Sequence, residues 1–404
     1  MNKALFSDKA VPLKLLRERA FNLRWAQQPA DVIPLTAADP DFPICPAIQE
    51  QLIRYVRDGV LGYVPPEGLP RFREAVAEWM RDARRIECTP AAVFATDSVA
   101  SAMAVVARAS LCQSASADEV LIPDPVDFLF QHTIERAGAV PIRVSVNPAT
   151  TAEAFIAGME ARLTPRTRML WLCNPHNPLG VVYSREWLRS VAEWAIRHGL
   201  RILSDEIWSD IVYAPHHHAS VASISPEIAR NTVTVYGYSK NFALAGLRVG
   251  CIVCTDAQWR KQIVAASDAE STVFGVSVLS QVAAIAALQD GREWLADFVR
   301  HLHAQRDYVL ERLLQWPGVT AHPPEGTYVI FPRVRSLSDD AERLCEHLRE
   351  HARVALVPGA TRWFGPGARG HLRICFSTSR GILQEAFDRL YPVVLNMAAE
   401  MPSP

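Results

Sequence analysis

Short apolar runs alternate with amphipathic segments from about residue 90 to about residue 255. The apolar runs are typical of buried strands, and they cover residues 119–123, 139–146, 168–173, 200–205, 232–236 and 248–254. Residues 185–199 place apolar side chains at helical spacing and end at Gly199. This alternation predicts an α/β domain whose sheet is mostly parallel and flanked by helices. The loops that follow its strands would then meet at one edge of the sheet, where ligands bind.

The pattern changes beyond residue 290. Residues 294–316 form one long helical pattern, and a mixture of strand-like and helical segments follows. We therefore predict a large domain at residues 46–290 and a smaller α+β domain at residues 291–404. Residues 1–45 are interrupted by prolines and show little periodicity, so we expect them to form an arm or to join the smaller domain.

The composition is that of an ordinary globular chain. Hydrophobic residues make up 49% of the 404 residues, charged residues make up 21%, and the formal net charge is -1. These values argue against a disordered chain and against a surface that binds nucleic acid. The sequence has neither a targeting pattern nor a membrane-spanning apolar run, and its eight cysteines are widely spread, so we expect a cytoplasmic protein with no membrane contact. The three consecutive histidines at 216–218 lack the spacing of a zinc site, and we expect no metal.

Lysine is rare in this chain. Only five of the 42 basic residues are lysine, and one of them, Lys240, follows a strand-like run among small and apolar residues. An arginine would serve equally well as a surface charge, but it cannot lose its proton in a protein. Lys240 therefore indicates a need for an amine that can become neutral.

Asn177, Asp205 and Lys240 follow or end three consecutive strand-like runs. Parallel strands would bring this amide, carboxylate and amine to one crevice. Pyridoxal 5′-phosphate needs such groups, because its aldehyde forms a Schiff base with a lysine and its ring nitrogen needs a carboxylate to stay protonated. Asn177 would donate to the phenolic oxygen of the ring, and Arg248 would pair with the phosphate.

Three stretches around these residues form an ordered set, namely NPHNPLG at 174–180, SDEIWSDIVY at 204–213 and YSKNFALAGLRVG at 238–250. With them, the chain resembles the fold-type-I pyridoxal phosphate enzymes of the class I/II aminotransferase superfamily over nearly its whole length. The NPHNP segment, residues 216–234 and the N-terminal segment are most similar to the cystathionine β-lyase-type carbon-sulfur lyase branch. The resemblance implies an α/β fold with a large, mostly parallel sheet and a smaller α+β domain.

The resemblance also implies roles for single residues. Lys240 would be the Schiff-base lysine, and Asp205 would be the partner of the ring nitrogen. Arg373, in the segment LRICFS, is similar to the arginine that holds the α-carboxylate of the substrate. Tyr63 is similar to a tyrosine that reaches the phosphate of the neighbouring subunit, which implies a homodimer with shared active sites.

At the phosphate end, the chain departs from the family pattern at two positions. Ser98 replaces the usual glycine of a loop that opens a helix, so that Ser98 and Val99 would donate to the phosphate from a helix N-terminus. Gly237 stands where a serine often binds the phosphate. Ser239, next to the lysine, is also assigned to the cofactor site.

Two further departures concern the ring of the cofactor. Asp127 replaces the aromatic residue that normally stacks on the ring, and we assign it to substrate binding. Trp208 replaces the tyrosine of aminotransferases or the histidine of the lyase branch, and we assign it to the cofactor. Phe128, Phe130 and Trp208 are alternatives for the stacking partner.

An enzyme of this kind acts at the Cα atom of an amino acid, with Lys240 as the base that removes the α-proton. Because the flanking sequence is similar to the lyase branch, we favour β-elimination from an S-substituted cysteine or other thioether, which releases a thiol, ammonia and a 2-oxo acid. The alternative is an aminotransferase that transfers the amino group to a 2-oxo acid. A specialised decarboxylating or deaminating enzyme and a non-catalytic amino-acid sensor also stay open.

Overall fold

The structure is a computed structural model that describes residues 5–111, 117–271 and 275–400. Its strands are β1 (Ile33–Pro34), β2 (Val93–Thr96), β3 (Glu119–Asp124), β4 (Val140–Ser145), β5 (Thr167–Cys173), β6 (Arg201–Asp205), β7 (Thr232–Gly237), β8 (Gly250–Cys254), β9 (Val329–Ile330), β10 (Val354–Ala355), β11 (Val357–Pro358) and β12 (Leu372–Cys375). Its helices are α1 (Leu13–Arg19), α2 (Pro46–Arg57), α3 (Pro70–Arg84), α4 (Val99–Ser110), α5 (Phe128–Arg136), α6 (Ala152–Glu160), α7 (Arg185–Arg197), α8 (Pro226–Arg230), α9 (Ala257–Ala266), α10 (Val278–Asp290), α11 (Arg292–Leu313), α12 (Ala341–His351), α13 (Thr361–Phe364) and α14 (Arg380–Glu400).

A large central sheet has the strand order β2, β8, β7, β6, β5, β3, β4. The five strands from β7 to β4 are parallel, whereas β8 runs antiparallel to both of its neighbours. Each of the six predicted apolar runs forms a strand, and the prediction of a mostly parallel sheet flanked by helices is confirmed. β2 was not predicted, because four residues are too few to establish a pattern.

The sheet is covered by helices on both faces, and its inner strands are therefore mostly apolar and almost completely buried. Every residue of β7 is buried. Helix α7 shows how the covering layer forms, since Ser184 caps its first turn by accepting a hydrogen bond from the Trp187 backbone N–H at 3.1 Å. The chain leaves this helix at Gly199, whose φ of 70° favours glycine.

Two small sheets lie outside the central one. β9, β12 and β11 form an antiparallel sheet with β12 in the middle, and Arg373 lies on β12. β1 pairs in parallel with β10 and so ties the N-terminal segment to the C-terminal part of the chain. The domain boundaries at residues 45 and 290 stay a prediction.

None of the helices in the described part of the chain combines the length and the apolar character needed to cross a membrane.

Candidate active site

The carboxyl ends of β5, β6 and β7 meet at one edge of the central sheet. The strand register aligns Cys173 with Asp205, and Asp205 with Val235, so the residues that follow these strands emerge side by side. A cavity of about 340 Å³ lies at this edge. Its lining includes every site residue that the sequence predicts except Tyr63, namely Ser98, Val99, Asp127, Asn177, Asp205, Trp208, Ser239, Lys240, Arg248 and Arg373.

Lys240 projects into the cavity three residues after β7. Its Nζ atom donates a hydrogen bond to the backbone carbonyl of Ala38 at 2.6 Å, and it lies 5.5 Å from the ring centroid of Trp208. Burial lowers the pKa of Lys240, and the nearby carboxylate of Asp39 opposes that lowering. A lowered pKa favours the neutral amine, which is the form that acts as a nucleophile or as a base.

Asp205 is the last residue of β6 and is only 7% exposed. Its Oδ1 atom accepts a hydrogen bond from the Ile207 backbone N–H at 3.1 Å, and its Oδ2 atom accepts none within the described residues. Burial raises the pKa of Asp205 to about 7, although the Ile207 N–H opposes that shift. A cationic ring nitrogen next to Oδ2 would supply the countercharge that this buried carboxyl lacks.

Asn177 joins two charged side chains of the cavity. Its Nδ2 atom donates to Oδ2 of Asp127 at 2.8 Å, and its Oδ1 atom accepts from Nη1 of Arg373 at 3.3 Å. One amide therefore separates a carboxylate from a guanidinium. Since an amide nitrogen carries two hydrogens, Asn177 keeps one donor for a ligand.

Arg373 is 8% exposed, yet within the described residues no carboxylate forms an ion pair with it. Its second hydrogen bond within the described residues is a long one, 3.4 Å from Nη2 to the carbonyl of Thr36. The buried arginines Arg24 and Arg84 differ, because each is paired with an aspartate. Burial lowers the pKa of Arg373, and the Asp127 carboxylate opposes this. A ligand carboxylate in the cavity would satisfy this buried cation.

Another part of the cavity wall is formed by the N-terminus of α4. Ser98 is the N-cap, and its Oγ atom accepts from the Ser101 backbone N–H at 3.0 Å and donates to Asp97 at 3.1 Å. The Ser98 hydroxyl is thus occupied, which leaves backbone N–H groups of the first turn to bind an anion. Arg248, in a left-handed conformation with a φ of 52°, also lines the cavity.

Gly237, at the end of β7, has no room for a side chain. A Cβ atom at this position would lie 2.8 Å from Cγ2 of Val99. The serine that often stands here in the family would therefore collide with the first residue of α4. The glycine at position 237 therefore makes room for the side chain of Val99.

Aromatic side chains enclose the centre of the cavity and its Arg373 end. Trp208 is 2% exposed and packs edge to face on Tyr328, with the ring centroids 4.6 Å apart. Phe364 lies 5.1 Å from the guanidinium carbon of Arg373, and Phe128 packs edge to face on Trp363 at 5.5 Å. Trp208 thus occupies the cavity wall as predicted, whereas its role as a cofactor contact stays a prediction.

Tyr63 lies outside the cavity and is 99% exposed. Its predicted role concerns the site of a neighbouring subunit, so the position within one chain does not test it. Val60 and Leu61, close by in sequence, are also exposed, at 73% and 56%.

Sequence reasoning missed three groups of residues around the site. The Ala38 carbonyl, which binds Lys240, is a backbone atom and leaves no signal in the sequence. Trp363 and Phe364 reach the cavity from α13, a helix of only four residues. Glu206 and His218 are buried and 3.1 Å apart, and Ser204 also donates to Glu206. Only Glu206, a charged residue directly after an apolar strand, could have been suspected.

These groups fit pyridoxal 5′-phosphate. Asp205 offers a carboxyl oxygen that accepts no hydrogen bond from the described residues, Lys240 offers an amine with a lowered pKa, and α4 offers an anion site. Asn177 has a spare donor between them. The cavity has the size of a typical small-molecule site.

The sequence profile of the family described as "Aminotransferase class I and II" matches residues 30–390. The chain belongs to this family. It is 30% identical, over 389 residues and 95% of both sequences, to the probable aspartate/prephenate aminotransferase of Aquifex aeolicus. The fold is also similar to that of a solved structure, the PLP-bound putative aminotransferase from Clostridium difficile 630, with a TM-score of 0.85. The two sequences are 25% identical, and the match covers 94% of this chain and 97% of that one.

A second solved structure in the family's fold is a putative PLP-dependent β-cystathionase from Corynebacterium diphtheriae. It is 27% identical, covers 95% of this chain and 98% of its own, and has a TM-score of 0.82. The prediction of a fold-type-I pyridoxal phosphate enzyme is confirmed. The preference for the lyase branch is less well supported than the aminotransferase alternative, because the matching family profile and the Aquifex relative are both described as aminotransferases.

Proposed function

We propose that this chain is an aminotransferase that moves the amino group of an amino acid to a 2-oxo acid. The observation that carries the proposal is the convergence of a lysine with a lowered pKa, a buried carboxyl and an unpaired buried arginine in one cavity. The name of the Aquifex relative supports amino transfer over the lyase reaction.

Pyridoxal 5′-phosphate, when bound, supplies an aldehyde that exchanges with the substrate amino group and a ring that accepts electrons from Cα. Lys240 and Ser239 line the cavity just after the end of β7, and the neutral amine of Lys240 would take the proton from Cα. Asp205 would keep the ring nitrogen protonated, because a cation beside this buried carboxyl would stabilise its ionised form. Asn177 would donate its second N–H to the phenolic oxygen.

Arg373 binds and orients the α-carboxylate of the substrate. Its guanidinium is buried and free of acidic partners in the described part of the chain, so a carboxylate ligand would form its first ion pair. This ion pair would fix the direction of the Cα–H bond relative to Lys240. The backbone N–H groups at Ser98 and Val99, together with Arg248, would hold the phosphate at the other end.

Amino transfer can be tested in a single turnover. The purified holoenzyme is mixed with an amino acid and no 2-oxo acid, and the released 2-oxo acid and thiol are measured. An aminotransferase releases about one equivalent of 2-oxo acid per site and continues only when a 2-oxo acid such as pyruvate is added. Continued release of pyruvate and thiol from an S-substituted cysteine, without any acceptor, would contradict the proposal.

The carbon-sulfur lyase is the second candidate function, and the Corynebacterium structure favours it. Both reactions need the same proton removal by Lys240, so the site residues above serve either one. The Lys240→Ala variant should lose at least about a thousandfold in either reaction. A matched control is Lys261→Ala, because Lys261 is exposed on α9 and lies outside the cavity.

A homodimer with shared active sites is also a proposal. It is supported by Tyr63, Leu61 and Val60, three exposed apolar or aromatic side chains within four residues of sequence. A mixture of Lys240→Ala and Tyr63→Ala subunits would regain activity if each site needs Lys240 from one subunit and Tyr63 from the other. Equal inactivity of the mixture and of its separate components would argue against shared sites.

A further inference from the structure

The acidic and basic side chains that line the cavity are equal in number but have different tasks. Within the described residues, its lining contains Lys240, Arg248 and Arg373 as cations, and Asp97, Asp127 and Asp205 as acids. Under the proposed function, each cation has a task at the cofactor or at the α-carboxylate, and Asp205 serves the ring nitrogen. The two remaining charges, those of Asp97 and Asp127, are both acidic.

Asp127 lies at the Arg373 end of the cavity. Its Oδ1 atom caps α5 by accepting from the Leu129 backbone N–H at 3.1 Å. Capping uses only this one carboxylate oxygen. The other oxygen, Oδ2, accepts a hydrogen bond from Asn177 at 2.8 Å, and Asn177 in turn accepts one from Arg373. The negative charge therefore lies one amide away from the group that binds the α-carboxylate.

Asp97 is placed differently. It is exposed, and its Oδ1 atom accepts a hydrogen bond from the Ser98 hydroxyl at the α4 end of the cavity. It lies beside the proposed phosphate site at the N-terminus of α4, and no hydrogen bond joins it to Asn177 or Arg373 in the described part of the chain. Asp97 thus provides a comparison acid within the same cavity.

The wall around Arg373 is apolar and aromatic. Phe364 lies over the guanidinium, Trp363 packs on Phe128, and Val357, the strand partner of Arg373, also lines the cavity. A side chain that leaves the Cα of a bound amino acid on this side would meet these groups and Asp127. The wall offers such a side chain no cation besides those already engaged, among the residues that the structure describes.

We propose that Asp127 makes this enzyme reject amino acids with a second carboxylate and accept those with large apolar or aromatic side chains. The inference rests on the proposed function, since it names the substrate class of the same site. A distal carboxylate would lie near Asp127 in a partly desolvated cavity, where like charges repel strongly. An apolar side chain instead packs on the ring faces without this repulsion.

Binding of two unreactive carboxylates to the holoenzyme tests the inference by titration calorimetry. Maleate carries two carboxylates, whereas 3-phenylpropionate carries one carboxylate and an aromatic ring. The wild-type enzyme should bind 3-phenylpropionate at least about tenfold more tightly than maleate. Wild-type affinities that are equal, or that favour maleate, would overturn the inference.

Three variants locate the effect. Asp127→Asn keeps a good N-cap for α5 and removes the charge, so it should strengthen maleate binding by about tenfold more than 3-phenylpropionate binding. Asp127→Glu keeps the charge and should keep the wild-type preference. Asp97→Asn removes an acid that lies beside the proposed phosphate site and should also leave the ratio of the two affinities unchanged. The same change of ratio in the variants Asp127→Asn and Asp97→Asn would overturn the assignment to Asp127.

Turnover separates this inference from the proposed function. With pyruvate as the acceptor, kcat/KM should favour phenylalanine over aspartate, and the preference should shrink by about tenfold in the Asp127→Asn variant. Transfer from both amino acids with equal kcat/KM in the wild type would leave the aminotransferase intact and overturn the role of Asp127. Absence of transfer from either amino acid would contradict the proposed function, and the calorimetric ratio would still decide the role of Asp127.

Discussion

At the scale of single residues, the sequence predicted the members of the site whose positions follow from strand order. Asn177, Asp205 and Lys240 converge because each follows a parallel strand of the same sheet. Arg373 comes from a separate antiparallel sheet, and only the family resemblance pointed to it. The Ala38 carbonyl that accepts from Lys240 could not be predicted, because any residue type provides a backbone carbonyl.

The raised pKa of Asp205 predicts how the stability of the cofactor-free protein depends on pH. In the folded protein the Asp205 carboxyl stays protonated up to a pH of about 7, whereas the ordinary pKa of an aspartate is 3.8. The folded state therefore binds more protons between these two values, and its free energy of unfolding falls as the pH rises through this window, by on the order of a few kcal/mol.

The Asp205→Asn variant should lose that component of the pH dependence. Urea unfolding of the cofactor-free proteins at pH 5 and pH 8 measures it, and the variant should be the more stable protein at pH 8. Asp339→Asn is the matched control, since the Asp339 side chain is 71% exposed. Equal losses of stability between pH 5 and pH 8 in the wild type and the Asp205→Asn variant would contradict the account.

At the scale of elements, the predicted strands were those that a pattern of five or more residues can reveal. Parallel strands covered on both faces form continuous apolar runs, which is why the strands from β3 to β8 were found. The two-residue strands of the small sheets are set by their tertiary partners, as when β1 pairs with β10. The contact between Gly237 of β7 and Val99 of α4 also lies beyond sequence reasoning, because it depends on how a helix approaches a strand.

A serine at position 237 should destabilise this protein, although the family often has one there. Its Cβ atom would lie 2.8 Å from Cγ2 of Val99, so Gly237→Ser should lower the free energy of unfolding by about 1–3 kcal/mol. Thermal or urea unfolding of the holoenzyme measures the cost. Val99→Ala in the same chain should recover part of it, as a double-mutant cycle would show.

The control for this substitution is Gly246→Ser, because a Cβ atom at Gly246 would meet nothing within 4 Å. It should change the free energy of unfolding by no more than a few tenths of a kcal/mol. An unaltered stability in the Gly237→Ser variant, or no recovery from Val99→Ala, would refute the packing argument.

At the scale of the whole molecule, the end of α2 and the segment that follows it expose apolar and aromatic side chains. Leu61 and Tyr63 expose 56% and 99% of their surface, and Val56 on α2 exposes 51%. Such exposure of neighbouring apolar side chains is unusual for a monomer and supports the proposed homodimer. The family resemblance predicted the partner, whereas the exposure of this segment emerged only from the fold.

Introducing a charge on that face should weaken the dimer. We expect the wild-type protein to sediment as a dimer and the Leu61→Asp variant to dissociate at micromolar concentration, because a carboxylate would be buried at the interface. Leu314→Asp is a matched control, since Leu314 is 58% exposed at the end of α11. Dissociation of both variants, or of neither, would contradict an interface at Leu61.

We expect pyridoxal 5′-phosphate to be bound covalently through Lys240. Borohydride reduction of the holoenzyme, followed by peptide mass mapping, can locate this bond, because the chain has only five lysines: Lys3, Lys9, Lys14, Lys240 and Lys261. The reduced cofactor should be found on Lys240 alone, at about one per chain. A cofactor mass on any other lysine, or an unlabelled Lys240 in cofactor-loaded protein, would show that Lys240 does not have this role.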